Sequence, residues 1–547
     1  MPPLDVTDGL ASPAVQLFLT AAERVGAEVP PEEIASVTQI CAHLDGLPLA
    51  VELAAAQLRQ LGVGELADRL DQRFELLARG RRQRGRQSSL QAVLEDTWAM
   101  LDATEEQMLL QLAAFPADFS ADDAEGVAGE LSSMAPARTI AGLVDLGLVA
   151  WSIDGRHRLL ETVKLFARQA WAANGDADEY LERHTRWVLA CLDAYGPQAW
   201  FTSLEVMRWA SSHYDDHRAV EDRLTTAGRA SELTRLLSAL TFAYTYDTGT
   251  RASAAIDRIE QHLERLDLSD HERGLLNLVI ASAGLPARRP DWIERGSSTA
   301  VPLLREHGTP EELAAALIVN SWMIVFQDGE AALVLLDEAR ALADAADAPV
   351  LADVASGYLV THYAVAGRID DSLQTLADLK VRVDGRPMDY GGTLYAYGTM
   401  AVRFMTEPDA ARAAGQYLVR EFAKAPNGGG DGRNEIYLVA LAARGDVTET
   451  RSLVAEAKIM ARRQSGNDGL PDLLIPPAAL AWRLGQFDIA RRWLTAIRRA
   501  PKPTKSFHMT IMYRQLRTAV GLLDENPLDS ATIDDIWDEA VAWMDTL

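Results

Sequence analysis

Small residues recur along the second half of the chain at a nearly fixed interval: Ala332, Ser372, Ala411, Thr450 and Ala490 are separated by 40, 39, 39 and 40 positions. A period of roughly 20–50 residues marks a repeat architecture, in which one unit cannot bury its apolar face alone and must stack on its neighbours. Each marker follows a turn signal: Gln327-Asp328-Gly329, Ala366-Gly367-Arg368, Glu407-Pro408, Arg444-Gly445 and Leu484-Gly485-Gln486. Apolar or small residues then follow four and seven positions on, as Leu336 and Ala339, Leu376 and Leu379, Gly415 and Leu418, Val454 and Ala457, Leu494 and Ile497. That spacing lines one face of a helix. First helices are expected before the turns, at Glu311–Phe326, Val350–Val365, Gly392–Met405, Asn434–Arg444 and Leu473–Leu484. The unit is therefore a helical hairpin with a small residue where its two helices cross.

The period predicts a mostly α chain whose main body is a right-handed, tetratricopeptide-like superhelix, with a repeat longer than the usual ~34 residues. Residues 301–504 are expected to carry these repeats, 175–300 less regular hairpins, and 505–547 a terminal cap. Ahead of them, residues 1–88 read as a helical domain. Its first apolar face is Ile34, Val37, Cys41 and Leu44; Gly46-Leu47-Pro48 interrupts it, and helices Leu49–Gln60 and Glu65–Ala78 follow. An Arg-rich linker at 79–88 holds Arg79-Gly80-Arg81-Arg82-Gln83-Arg84-Gly85-Arg86, which breaks every period. Residues 89–174 then give helices Leu90–Leu101, Thr104–Ala114 with Thr104 as N-cap, Ala121–Ala128 and Pro136–Leu146. Residues 148–153 and 156–160 flank Asp154-Gly155, a strong hairpin signal, and a helix Glu161–Ala173 leaves the unit. Helices followed by a hairpin are the order of a winged helix.

The chemistry sought along the 547 residues is mostly missing. Gly-Lys occurs nowhere, so no Walker nest and lysine can hold nucleotide phosphates, and no H-E-x-x-H or G-x-S-x-G is present. The expectation is a non-enzyme with no catalytic residue, no metal and no bound cofactor. Fifty-three basic against 79 acidic residues give a net charge of −26, which repels phosphate backbones and anionic lipid. Nucleic acid is accordingly disfavoured as a partner of this chain alone, as is a membrane. Two cysteines, Cys41 and Cys191, are too few for a disulfide framework, and the N-terminus lacks a basic and apolar leader, so the expected location is the cytoplasm. His213, Asp216 and His217 have a metal-like spacing but suit an exposed helix start. Gly428-Gly429-Gly430-Asp431-Gly432 suits a loop between repeats, and the Arg79–Arg86 run a solvated linker without interleaved aromatic residues. The repeat Trp and Tyr residues are read as core filling.

Four stretches carry a specific likeness: 40–56 (ICAHLDGLPLAVELAAA), 66–70 (LADRL), 89–98 (SLQAVLEDTW) and 158–164 (RLLETVK). They resemble the C-terminal half of bacterial STAND-type regulators, signal-transduction ATPases that include LuxR-type transcription activators. The resemblance is close over about residues 10–190 and architectural beyond. It implies a nucleotide-binding domain before residue 1, a helical Gly-x-Pro domain, a winged helix and a superhelical sensor arm. Gly46 and Pro48 match the Gly-x-Pro motif, whose proline packs on adenine, so they stand as a vestigial cofactor contact. Where many relatives carry Met-His-Asp, this chain has Leu159-Leu160-Glu161, and leucine cannot donate the hydrogen bond that the family's His gives to the ADP phosphate.

The reading is a sensor or scaffold arm that binds a protein or small molecule in the superhelix groove. ATP or ADP enters only if a P-loop domain is supplied. One alternative is a nucleotide-dependent transcription switch whose P-loop domain is encoded upstream or in a partner; another is a DNA-binding regulator that uses the winged helix.

Overall fold

The computed structural model describes residues 4–68, 98–195, 204–422, 435–454, 472–497, 507–522 and 533–547, except 8, 25–26, 45, 47, 49–50, 52–53, 56–57, 59–61, 99–100, 129–135, 146–147, 152–154, 242, 244–249, 285–286, 288 and 387–388. The chain forms two compact units, residues 1–188 and 189–547. The described part is mostly α, with one two-stranded sheet among the described residues.

In the first unit, α1 (Pro13–Arg24), α2 (Ile34–His43) and α3 (Val63–Asp68) enclose Val15, Phe18, Val37, Ile40, Cys41, Leu44 and Leu66. The chain leaves α2 through Gly46, which holds a left-handed φ of 60°. Its carbonyl accepts the Leu4 N–H at 2.8 Å, and a Cβ on Gly46 would lie 2.1 Å from the Leu4 carbonyl oxygen. Only glycine meets both demands.

Three further helices follow: α4 (Ala103–Leu112), α5 (Ala121–Ala128) and α6 (Pro136–Asp145). The N-cap of α4 is Asp102, and the expected Thr104 lies inside the helix. The Asp102 carboxylate accepts the N–H groups of both Thr104 and Glu105 at 2.8 Å, while Glu105 accepts that of Asp102 at 3.1 Å. A carboxylate two residues earlier thus satisfies more free donors than the Thr104 hydroxyl could. Strands β1 (Val149–Trp151) and β2 (His157–Leu159) pair antiparallel, Val149 opposite Leu159 and Trp151 opposite His157. Phe119 adds a bridge to His157, with N–H to carbonyl distances of 2.7 and 2.8 Å. Helices α7 (Glu161–Asn174) and α8 (Ala177–Asp193) follow.

The second unit opens with α9 (Leu204–Ser212), α10 (Tyr214–Thr226), α11 (Ala230–Ala239) and α12 (Thr250–Arg265). Helical hairpins then stack in sequence: α13 (Asp270–Gly284) with α14 (Pro290–His307), α15 (Pro310–Ile324) with α16 (Gly329–Ala345), α17 (Pro349–Val365) with α18 (Ile369–Val383), and α19 (Tyr390–Arg403) with α20 (Pro408–Phe422). After α21 (Glu435–Arg444), residues 447–454 are helical, and α22 (Ile475–Arg483) pairs with α23 (Phe487–Ile497). Two helices close the chain, α24 (Phe507–Ala519) and α25 (Ile533–Asp545).

Local chemistry sets these boundaries. Thr309 and Glu312 form a capping box at α15, with Pro310 at its first position, and Asp328 and Asp389 accept backbone N–H groups at the starts of α16 and α19. Gly367, Gly445 and Gly485, each between the two helices of a hairpin, hold φ of 81°, 94° and 75°. After each of them the next residue's N–H returns to a carbonyl five positions back, on Tyr363, Leu441 and Ala481. That is the left-handed stop that sends the chain into the second helix.

Candidate functional site

All five repeat markers, Ala332, Ser372, Ala411, Thr450 and Ala490, are 0% exposed. The helix crossings differ in how they use the small side chain. Ser372 donates its hydroxyl to the Val360 carbonyl of α17 at 2.6 Å, whereas the Thr450 hydroxyl is buried without a partner. Beside Ala411, a Cβ on Gly415 would sit 2.2 Å from the Tyr437 ring. The α13–α14 hairpin carries a crossing that the 40-residue count does not reach. There Gly296 packs so closely on α13 that a Cβ would lie 2.6 Å from the Asn277 carbonyl oxygen. An isolated glycine inside a helical pattern was the available signal.

First helices of successive hairpins contact one another, α13 with α15, α15 with α17, α17 with α19 and α19 with α21, and the face they share is covered rather than open. Helix α24 lies across α17, α19, α21 and α22, one first helix from each of four successive hairpins. Met509, Met512, Tyr513, Leu516 and Val520 are its buried apolar residues at helical spacing, and Ile511 is buried as well. Arg514 donates to the Val365 carbonyl and Gln515 Nε2 to the Ala401 carbonyl at 3.1 Å. Val365 is the last residue of α17. The carbonyls of His362, Tyr363 and Ala364 just before it are taken by the N–H groups of Ala366, Arg368 and Gly367. Arg514 thus serves one of the helix-end acceptors that an α-helix cannot satisfy internally. From the other side Arg491 of α23 donates to the Val520 carbonyl at 2.9 Å, and the Tyr513 hydroxyl to that of Leu494 at 3.2 Å.

Beneath α24 the inner face is aromatic and polar. The Tyr358 and Tyr390 hydroxyls are 2.7 Å apart, and His362 Nε2 lies 3.3 Å from the Ser321 carbonyl. His508 of α24 stands 5.2 Å from the Tyr397 ring, and its Nε2 is buried without a partner. Burial pushes both imidazoles down to about 4, with the neighbouring His362 adding to the effect at His508. Both rings are therefore neutral at pH 7.

Helix α25 has a different seat, on α23. The Trp543 ring meets Trp493 edge-on at 5.1 Å and donates to Gln486 at 2.7 Å. The segment expected as one cap therefore supplies two helices with separate placements.

Elsewhere, the structure places Gly46 at the end of α2, as described, and leaves Pro48 half-buried. Leu159 is buried in β2, Leu160 caps α7, and Glu161 faces Lys164 at 3.7 Å. Among the described side chains of α6, Ala137, Arg138 and Ala141 are exposed. The expected exposed helix start at His213, Asp216 and His217 is corrected: all three are buried. His213 stacks on Trp209 at 4.6 Å and its Nδ1 lies 2.9 Å from the Trp209 carbonyl, so the apolar face of α9 takes up the ring. Burial lowers His217 to about 4. One turn on, Glu221 is buried beside Arg218, Arg258 (2.8 Å) and His262 (3.2 Å). Burial opposes its ionised form, but hydrogen bonds from His262 and Arg258 and the charges of Arg258 and Arg218 outweigh it and hold the carboxyl at about 2. Among the described residues no three His, Cys, Asp or Glu side chains converge as a metal site, and no described helix is long and apolar enough to cross a membrane. The Arg79–Arg86 run and the Gly428–Gly432 loop lie outside the described residues.

The fold defines a helical-repeat protein with a small winged-helix-like element ahead of the repeats. No protein-family profile matches the chain. Over 363 residues it is 31% identical to a Mycobacterium tuberculosis protein provisionally named an HTH-type transcriptional regulator, Rv0890c, covering 63% of this chain and 40% of that one. A Mycobacterium bovis protein with the same provisional description matches to the same extent. An uncharacterised M. tuberculosis protein, Rv0894, is 32% identical over 195 residues, 34% of this chain and 49% of its own. The chain thus spans less than half the length of these relatives. Among solved structures it is similar to a STAND protein with a tetratricopeptide repeat sensor from Pyrococcus horikoshii, at 12% identity and a TM-score of 0.40, over 97% of this chain and 74% of that one. The likeness to bacterial regulators read from the sequence holds in these relatives.

Proposed function

We propose that this chain is the sensor arm of a STAND-type signal-transduction or transcriptional regulator, acting in the cytoplasm by binding a protein or small ligand through its helical repeats. The observation that carries the reading is the stack of hairpins whose first helices form a continuous inner face able to hold a further helix. The mycobacterial relatives provisionally named as regulators support the same role. Nothing in the 547 residues supplies a Walker lysine, so we assign this chain no nucleotide hydrolysis. Pro48 alone offers one apolar surface to an adenine ring.

Crosslinking in the native cell followed by mass spectrometry tests the arm. One partner should be enriched on the first helices and lost in Ala490→Trp, which overpacks a helix crossing. Crosslinks spread evenly over the surface, or an unaffected substituted chain, would leave the repeats as a spacer. Calorimetry of the whole chain with ADP and ATP should show no micromolar binding, and a clear isotherm would favour the nucleotide-switch reading. A gel shift at two salt concentrations addresses the winged helix, where Arg138 is the one basic side chain on α6.

A further inference from the structure

We propose that the first unit carries a site for a small organic cation, a molecule with an apolar body and one protonated amine. The site is a cleft of about 540 Å³ whose lining comes from α1, the Gly9–Ala11 turn and the path from α1 into α2. The sequence both builds this cleft and keeps it open. After α1 the chain runs into Val29-Pro30-Pro31, with Pro30 extended at φ −64° and ψ 148°, and only then turns through Pro31–Glu33 into α2. Two prolines have a fixed φ and no N–H to donate, so this stretch cannot continue α1. Leu10 joins from the Gly9–Ala11 turn, which Gln16 fastens by donating its Nε2 to the Leu10 carbonyl at 2.7 Å. The frame is therefore set before anything binds, and a ligand is spared the cost of ordering it.

The lining says what fits. Leu19, Ala27, Val29 and Ile34 are half-buried and give the cleft its apolar surface, while Leu10 at 55% exposure shows that it opens to solvent. Its charged residues are Glu23 and Glu28, and no Lys, Arg or His lines it. Among the described residues neither carboxylate has an ion-pair or hydrogen-bond partner. Apolar surface beside two carboxylates that nothing neutralises is complementary to a cation on a hydrocarbon or aromatic body, and it repels anions. The sequence around it reinforces that sign, since residues 1–34 hold six acids against one basic residue, Arg24. A nucleotide, with its phosphates, is thereby the wrong ligand, and neither Gly46 nor Pro48 lines the cleft.

Size separates a small molecule from a protein. A volume of about 540 Å³ lies within the range of roughly 300–1,000 Å³ that small-molecule sites occupy. A stable protein partner covers about 800 Å² on each side, more than this short cleft offers. The site belongs to the first unit and does not rest on the sensor-arm reading of the repeats.

The probes are three molecules with one dansyl body: dansylcadaverine, a cation; dansylamide, which is neutral; and dansylglycine, an anion. Titrated into the full chain at low salt, dansylcadaverine should bind about three- to tenfold tighter than dansylamide, the range that two partly exposed ion pairs give, and dansylglycine should bind least. The preference should shrink at about 0.5 M salt. Glu23→Gln/Glu28→Gln changes two exposed side chains without touching the core. It should bring dansylcadaverine down to the affinity of dansylamide and leave dansylamide unchanged. Ala27→Phe, which fills the cleft, should weaken all three. Bound dansylcadaverine should slow amide exchange within residues 10–34 and leave that of residues 189–547 as it was. Equal binding of the cation and the neutral molecule would overturn the proposal, as would a preference that survives the double substitution, protection outside residues 10–34, or no binding at all. A dimer of the parent chain that Ala27→Phe abolishes would assign the cleft to a second copy and overturn the small-molecule occupant. None of these outcomes touches the crosslinking result on the repeats, so the two readings fail separately.

Discussion

Two hydroxyls at equivalent places in the stack are in opposite energetic situations. Ser372 donates to the Val360 carbonyl inside the α17–α18 crossing, so Ser372→Ala should cost about 1 kcal/mol. Thr450 buries a hydroxyl with no partner, so Thr450→Val, which keeps the shape, should be neutral or stabilise by up to about 1 kcal/mol. Equal losses in denaturant titrations of the two variants would contradict this account. Both positions were legible in the sequence, because the 39–40-residue period marks size and a crossing selects for size. Which hydroxyl finds a carbonyl depends on the local tilt of two helices, and no spacing rule carries that. The same limit explains Thr104 and Asp102: either fits a capping pattern, and only the backbone path decides that Asp102 stands outside the helix and reaches two N–H groups. Gly296 escaped for another reason, since its hairpin keeps the crossing but not the 40-residue count.

At the level of whole helices, α24 is the element least legible in the sequence. Its apolar spacing announces an amphipathic helix, but a helix pattern does not say which surface covers it, and a C-terminal position suggests a cap. Its seat makes a pH prediction. His362 and His508 are held neutral down to about 4 by burial, whereas exposed imidazoles take a proton near 6.5. The unfolded or released state therefore binds protons that the seated state refuses. Stability is complete above about pH 6.5 and falls as the pH drops toward 4, by on the order of 1–2 kcal/mol per histidine at pH 5. Thermal melts between pH 7.5 and 5 should show that slope, and His508→Leu should reduce it by that residue's share, leaving the parts carried by His362 and by His217, which burial also lowers to about 4. A slope unchanged in His508→Leu would place the acid sensitivity elsewhere. Glu221, held at about 2, is excluded as its source, because its contribution is lost only between about 4.5 and 2.

On the scale of the whole chain, a stack of hairpins in which each unit meets only its neighbours should unfold in pieces, since its stability is a sum of unit and interface terms. Helix α24 changes that by touching four units at once. Leu516→Asp, which places a charge on the buried side of α24, should broaden the denaturant transition of the repeats and separate it into steps, whereas the parent should melt over α17 to α23 as one. A single sharp transition in Leu516→Asp would mean that neighbour contacts alone make the array cooperative. The strap also has a consequence in time. When α17 has been synthesised, the arginine that will close its last carbonyl is still 149 residues from being made. At roughly 5–20 residues per second, the nascent inner face waits about 7–30 s for its own helix. During that interval the apolar side chains that α24 will cover stand exposed on the nascent chain, which makes this stretch the one to expect under chaperone protection at the ribosome.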